Sequence, residues 1–398
     1  MATIICNISA LEYHRTPPQA RDVILDAAFL SAETIPSIIR RPNINASQDV
    51  HAIHENVCAS LKGISFPVHI SNTEGRRTRT PVLKWHDLPK LKRRDLIPLA
   101  EGLFVTSPAR TLLDLCYNRS RATIALLLME FCGLYTVVPT IRPILEALSS
   151  ISQSSYTSAD NKRLAAYYGT KGNVLSFSDS NGRRLPWTAC TSATNQPSML
   201  WKRPPICTID ELIDLVAHVP SIKGADTLRE AIAMSAPGSA SPLETQIALL
   251  LGPSKRRGQE AVPRFFLNHQ VPLPLDIAEI LRTPVLVPDI SWFSKGRKLV
   301  GSCEVDGAAH HDGQDDTRKR KFYGDSARRA ALSHIGGSAI TITYPQVANL
   351  ESWDLVVDLI YRMLKLKRRK PTALFLKKRE QLHREIFNED IPRCEYEP

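Results

Sequence analysis

Apolar and polar positions are most regularly patterned in the last third of the chain. Ser241-Pro-Leu-Glu244 opens an apolar helical run to Leu251, with serine at the cap and proline at the first helical position. Two strand-like runs follow at 265–271 and 285–292. Ser294-Lys-Gly-Arg297 then reads as a hairpin turn, and 298–306 returns as a strand. A charged helix is expected over 317–334, ending at Gly336 and Gly337, then a β-branched strand at 339–343 and an amphipathic helix at 352–366. The order α-β-β-β-α-β-α predicts a mixed α+β fold, a mixed sheet flanked by helices.

The first half is less even. Short helices are expected at 20–30 and 49–61, then strands at 65–70 and 80–85 around the basic turn 74–79. Ser107 and Pro108 mark a helix start, with Leu112, Leu115 and Cys116 as its apolar stripe. The longest apolar stretch, 122–139, is broken by Glu130, Gly133 and Thr136, which suits a core helix and strand better than a membrane span. Residues 149–161 and 235–240 read as linkers, and 162–205 has no clear pattern. Short helices are expected at 209–219 and 225–234. The expected division is a smaller α+β region at 1–148, a connector at 149–240, a patterned domain at 241–366 and a basic helical tail at 367–398.

Length and composition narrow the class. At ~150 residues per domain, 398 residues suggest two or three domains. A chain that is 43% hydrophobic and 23% charged is not wholly disordered. Prolines (28) outnumber glycines (18), which favours short elements with stiff connections over one long helical bundle. The net charge of +11 favours a polyanionic partner. None of the 8 cysteines forms a CxxC pair, and none has zinc spacing with histidine. Cys116, Cys132 and Cys303 lie in apolar runs, as buried thiols of a reducing compartment do. The N-terminus lacks the basic start and apolar length of a signal peptide, so the expectation is a cytoplasmic, non-membrane protein.

Candidate chemistry gathers on the expected hairpin. A turn centred between Lys295 and Gly296 sets Asp289 opposite Ser302. Glu304 is then a diagonal neighbour on the same sheet face, with Asp306 continuing that face. Carboxylates flanked by apolar residues are costly unless a positive charge joins them, and a divalent cation bound through hard oxygens meets that need. His310 follows Asp306-Gly307 at a spacing that would let it orient or deprotonate a water.

These residues resemble a known family. Ser241-Pro-Leu-Glu244, Pro288-Asp289, Glu304-Val-Asp306-Gly307-Ala-Ala-His310, Asp325-Ser-Ala-Arg328 and Ile340-Thr-Ile-Thr343 look like the endonuclease-like domain related to very-short-patch repair nucleases, of the PD-(D/E)xK restriction-endonuclease-like superfamily. The resemblance covers about residues 240–365. It implies a restriction-endonuclease-like core and a metal-dependent nucleic-acid phosphodiesterase. Asp289 and Glu304 would hold Mg²⁺ or Mn²⁺, Glu244 would support the site, and Asp306 and His310 would belong to its catalytic set. Asp306 stands where the superfamily motif has a lysine; the short-patch branch also lacks that lysine and relies on histidines. Residues 1–130 are more faintly similar to the AbiEi antitoxin-like group, through Ile8-Ser-Ala-Leu-Glu-Tyr13, the strand pair near 68–85 and Val105–Asp114. That similarity implies a phage-defence or toxin–antitoxin setting.

Structural alternatives stand beside each role. Ser241 and Glu244 also form a capping box. Asp306-Gly307 suits a turn. Asp325 and Arg328, like Arg110 and Asp114, have the spacing of an ordinary helical ion pair. Arg76, Arg77, Arg79, Lys92, Arg93 and Arg94 form one basic segment, Arg318 and Arg328 lie in the charged helix, and Arg368 and Arg369 belong to a third run. Such runs are usually solvated faces, yet flanking a carboxylate core they fit a nucleic-acid path, with DNA the favoured partner. A catalytically silent nucleic-acid-binding regulator of the same fold is the alternative expectation.

Overall fold

The structure is a computed structural model that describes residues 3–17, 67–72, 83–100, 102–138, 174–178, 184–191, 197–219, 221–296, 298–306, 330–332, 334–335 and 337–387. The expected helices at 20–30 and 49–61, the basic turn, the linker at 149–161 and most of the charged helix lie outside these residues.

Thr3–Ile5 forms β1, and α1 (Asn7–Arg15) follows at once. β2 (Val68–Asn72), β3 (Leu83–Trp85), β4 (Leu96–Ala100) and β5 (Leu103–Thr106) complete a sheet of order β3-β2-β1-β5-β4, in which β1 runs parallel to β5 and antiparallel to β2. The start expected at Ser107 is present: its side chain accepts the Arg110 N–H at 3.3 Å and opens α2 (Pro108–Leu115). Ser120 likewise caps α3 (Arg121–Phe131), which is buried at every position after Arg121. β6 (Tyr135–Val137) continues the long apolar stretch, which is therefore a core helix and strand.

Where the sequence shows no pattern, β7 (Val174–Ser178), β8 (Arg184–Thr191) and β9 (Pro197–Lys202) pair with β6 in an antiparallel sheet of order β6-β9-β8-β7. The next two helices, α4 (Ile209–His218) and α5 (Ala225–Met234), stand where expected. α4 opens on a capping box between Thr208 and Glu211. Residues 235–240 are stitched down by two backbone bonds, Gly238 N–H to the Cys132 carbonyl at 3.3 Å and Leu134 N–H to the Ser239 carbonyl at 2.7 Å.

α6 (Pro242–Leu251) begins the patterned region. Each of the two strand-like runs after it divides in two. Asn268, at φ 48, separates β10 (Phe266–Leu267) from β11 (Val271–Pro272). After α7 (Leu275–Leu281), β12 (Val285–Leu286) is separate from β13 (Ile290–Phe293). β11 and β12 form a small ribbon. β10, β13, β14 (Leu299–Asp306) and β15 (Ser338–Thr343) form a mixed sheet in that order, with β15 parallel to β14. α8 (Tyr344–Ala348), α9 (Leu350–Met363) and α10 (Ala373–Phe387) close the described chain. The architecture is thus mixed α+β, with mixed sheets flanked by helices.

One buried apolar cluster runs from Leu11 through α3 and the α4–α5 pair to Trp292, Trp353 and Ile386. Within it lies a buried ion pair. Glu130 of α3 accepts from Arg15 Nε at 3.0 Å and Nη2 at 2.5 Å, and from the Thr136 hydroxyl at 2.8 Å. Removing one partner strands the other charge in the core. Glu130→Ala is expected to lower stability by ~3–5 kcal/mol in urea unfolding; a loss under ~1 kcal/mol would contradict this assignment.

Candidate functional site

The acid pair sits on the edge of the hairpin nearest the core. Ile290 faces Cys303, Ser291 faces Ser302 and Trp292 faces Gly301, whereas Phe293 faces Leu299 across a bulge. Val300 is the extra residue of that bulge, and it shifts the register from the one an unbroken ladder gives. One step beyond Ile290 therefore brings Asp289 directly across from Glu304, closer than the expected diagonal. The parity expectation holds. Ile290, Trp292 and Cys303 face the apolar core, so Asp289, Ser291, Ser302 and Glu304 share the opposite face. Thr341 stands beside Glu304, and Thr343 beside the half-buried Asp306.

Both acids are nearly enclosed, Asp289 at 5% and Glu304 at 7% exposure. Asp289 Oδ2 accepts the Val305 N–H at 2.6 Å, just before β13 begins. Burial pushes the neighbouring Cys303 thiol well above its ordinary range, with Glu304 and then Asp289 adding to the effect. That thiol is a core residue and not a nucleophile.

Glu244 reaches this region only through an intermediary. Its Oε1 accepts the Ser241 hydroxyl at 2.9 Å, and its Oε2 accepts the Ala240 N–H at 2.8 Å and Asn268 Nδ2 at 2.7 Å. The Ser241 oxygen in turn accepts the Glu244 N–H at 3.2 Å. Of the two readings open for Glu244, the helix cap is the one its hydrogen bonds describe. Asn268 passes the link on, since its backbone N–H donates to the Asp289 carbonyl at 3.0 Å. Sequence reasoning missed Asn268; the only signal was an asparagine between two short apolar runs, suited to a left-handed φ.

Among the described residues, no cluster of three or more His, Cys, Asp or Glu side chains could hold a metal. The donor set that does come together, two opposed buried carboxylates, fits a hard divalent cation of the Mg²⁺ type, which commonly takes one or two protein carboxylates and fills its shell with waters and substrate phosphate. His310 lies outside the described residues. Comparison with protein-family models, curated proteins and solved structures finds no match. The functional reading therefore rests on this chain's own residues.

The cations sort into two kinds. Lys92, Arg93 and Arg94 stand exposed around a 3₁₀ turn held by Asp95, whose Oδ2 accepts the Lys92 N–H at 2.9 Å. Arg368, expected on a phosphate path, is instead bound inward. Its Nη atoms donate to Asp354 at 2.8 Å, Asp358 at 2.9 Å and Glu260 at 3.2 Å. Those carboxylates, not solvent or phosphate, set its position. Arg369 remains exposed. Arg76, Arg77, Arg79, Arg318 and Arg328 lie outside the described residues. Arg110 and Asp114 do form the helical ion pair, Nε to Oδ1 at 2.9 Å.

That pair borders a pocket of about 490 Å³ that no motif in the sequence announces, lined also by His69, Lys84, His86 and Lys223. The two histidines stack with their ring nitrogens 2.9 Å apart. Burial, His86 and Lys84 lower His69 to about 3, which keeps it neutral at ordinary pH.

Because both Glu244 oxygens are engaged by protein donors, Glu244→Ala removes a cap and leaves Asn268 under-bonded. Its expected cost is ~1–3 kcal/mol, equal with and without Mg²⁺ in thermal or urea unfolding. A destabilisation that appears only in the presence of the metal would assign Glu244 to the metal instead.

Proposed function

We propose that the region around β13 and β14 is the centre of a metal-dependent nucleic-acid phosphodiesterase. What carries this reading is the placement of Asp289 and Glu304 each one step beyond the Ile290–Cys303 pair, with both side chains buried. The topology is in keeping with it: the sheet after α6 has three antiparallel strands, β10, β13 and β14, and then β15 parallel to β14, a mixed sheet of the kind the sequence pattern leads one to expect. DNA is the favoured substrate, and phage defence or a toxin–antitoxin pair the setting.

In this reading Asp289 and Glu304 would hold Mg²⁺ or Mn²⁺. The chemistry supplied by the bound ion is polarisation of the scissile phosphate, activation of water and stabilisation of the leaving oxygen. The Val305 N–H fixes the Asp289 carboxylate, and the Glu244–Asn268 link fixes where β13 begins; both act as positioning groups. Asp306, the next acid on the same face, stands at the position of the motif's lysine and would be the group to accept a proton from the attacking water. The sheet behind the acids is dry, lined by Cys303, Trp292 and Ile342, so their charges are weakly screened from that side.

A second reading, a silent nucleic-acid-binding regulator, is favoured by one feature. Asp306 replaces the lysine, and both Glu244 oxygens are already taken, which leaves fewer available groups than an active site of this type uses. Cleavage assays separate the two. With supercoiled plasmid and labelled single strands, Mg²⁺- or Mn²⁺-dependent nicking is expected from the wild type and is expected to fall at least about a hundredfold in Asp289→Asn and Glu304→Gln. Cleavage that is unchanged in both variants would contradict the site. Metal-independent binding with no cleavage of any substrate would select the regulator.

A further inference from the structure

Two basic runs far apart in sequence meet at one place. Lys255, Arg256 and Arg257 form a 3₁₀ turn that ends at Gly258 in the left-handed region, φ 88. Gly258 lies so close to α10 that a Cβ there would stand 2.4 Å from the Lys378 carbonyl oxygen, so only glycine allows the turn to seat. Lys378 Nζ returns a hydrogen bond to the Arg256 carbonyl at 2.9 Å. Together with the segment 369–372, the turn and α10 enclose an open pocket of about 510 Å³.

Its charged lining is wholly cationic: Lys255, Arg256, Arg369, Lys370 and Lys378. Each run also contains an arginine that the fold has neutralised. Arg257 is bound by Glu230 at 2.6 and 3.1 Å, and Arg368 by Asp354, Asp358 and Glu260. Among the described residues, the five that line the pocket make no ion pair with an acid. Lys255 only stands 5.4 Å over the ring of Phe375 at the pocket's base. The acids on hand are thus committed beside the pocket and not in it. Five like charges held around one concavity by a rigid turn repel one another, and a bound anion is what offsets that repulsion. A merely solvated basic face has no need of such enclosure.

We propose that this pocket is a nucleic-acid backbone site, in which the five cations hold consecutive phosphates of a strand. The choice of nucleic acid as the polyanion rests on the reading of the acid pair given above; the phosphate chemistry does not. Concavity and the absence of a carboxylate from the lining favour a phosphate chain over an acidic membrane, against which a convex basic surface would serve.

The test is fluorescence anisotropy of labelled DNA and RNA oligonucleotides, single-stranded and duplex, with the full chain in EDTA so that cleavage cannot interfere. Wild type is expected to bind with strong salt dependence. Arg256→Glu combined with Lys370→Glu is expected to weaken binding at least tenfold and to flatten the log–log salt slope by roughly 2, at ~0.9 for each duplex phosphate no longer neutralised. Lys223→Glu, an exposed cation elsewhere, serves as the control and is expected to leave both unchanged, with thermal melts establishing that every variant folds. Equal affinity and slope in the double variant would overturn the proposal. So would binding to phosphatidylserine vesicles with none to any oligonucleotide. Binding is read in EDTA, where no cleavage occurs, so a failure of the acid-pair chemistry and a failure of this pocket give different results.

Discussion

A helix that is apolar on every side can exist in water only if other elements enclose it, and α3 is such a helix. Its Ala, Leu and Met residues and the Ser120 cap favour the helix locally, but at eleven residues it depends on tertiary burial. α2 and α5 cover it on some sides, α6 and α10 on others, and β6 leaves directly from its end. Segments from both ends of the chain are therefore committed to one core. The single acid within that helix, Glu130, is tolerable only because Arg15 and Thr136 meet it.

That constraint reaches the candidate site in a few steps. α6 packs on α3, so the start of α6 is fixed, and with it Ser241 and Glu244. Glu244 holds Asn268, Asn268 holds the Asp289 carbonyl, and the bulge at Val300 brings Glu304 opposite. The opposite face of the same two strands is part of the core. Two buried acids are thus positioned by packing together with backbone hydrogen bonds, and a divalent cation held by them would offset their mutual repulsion.

The parts of the fold legible in the sequence were those with local chemistry. Ser107-Pro108 and Ser241-Pro242 marked helix starts because capping involves neighbouring residues. The strand expected at 339–343, observed at Ser338–Thr343, and the parity of the acid face were legible because a strand's pattern is also local. What escaped depends on distant partners. β7 to β9 have no alternation to read. Glu130 looked like an interruption because Arg15 lies 115 residues away in sequence. Arg368 looked like a solvated cation because Glu260 lies 108 residues away. The two-residue offset of Asp289 from its expected register came half from the turn, where Phe293 already pairs with Leu299, and half from the bulge at Val300, which no turn signal announces.

Separating the neutralised arginines from the open ones also changes how the basic excess is understood. Arg257 and Arg368 belong to the scaffold, and the charges left around the pocket and on the 92–94 turn are those available to a partner. The proposed chemistry stands on the acid pair, and metal binding tests it most directly. Titration of the full chain with Mn²⁺, followed by the electron paramagnetic resonance signal of the free ion, is expected to show a single saturable site that is abolished when Asp289→Asn and Glu304→Gln are combined. No saturable binding, or a site that survives both substitutions, would contradict it.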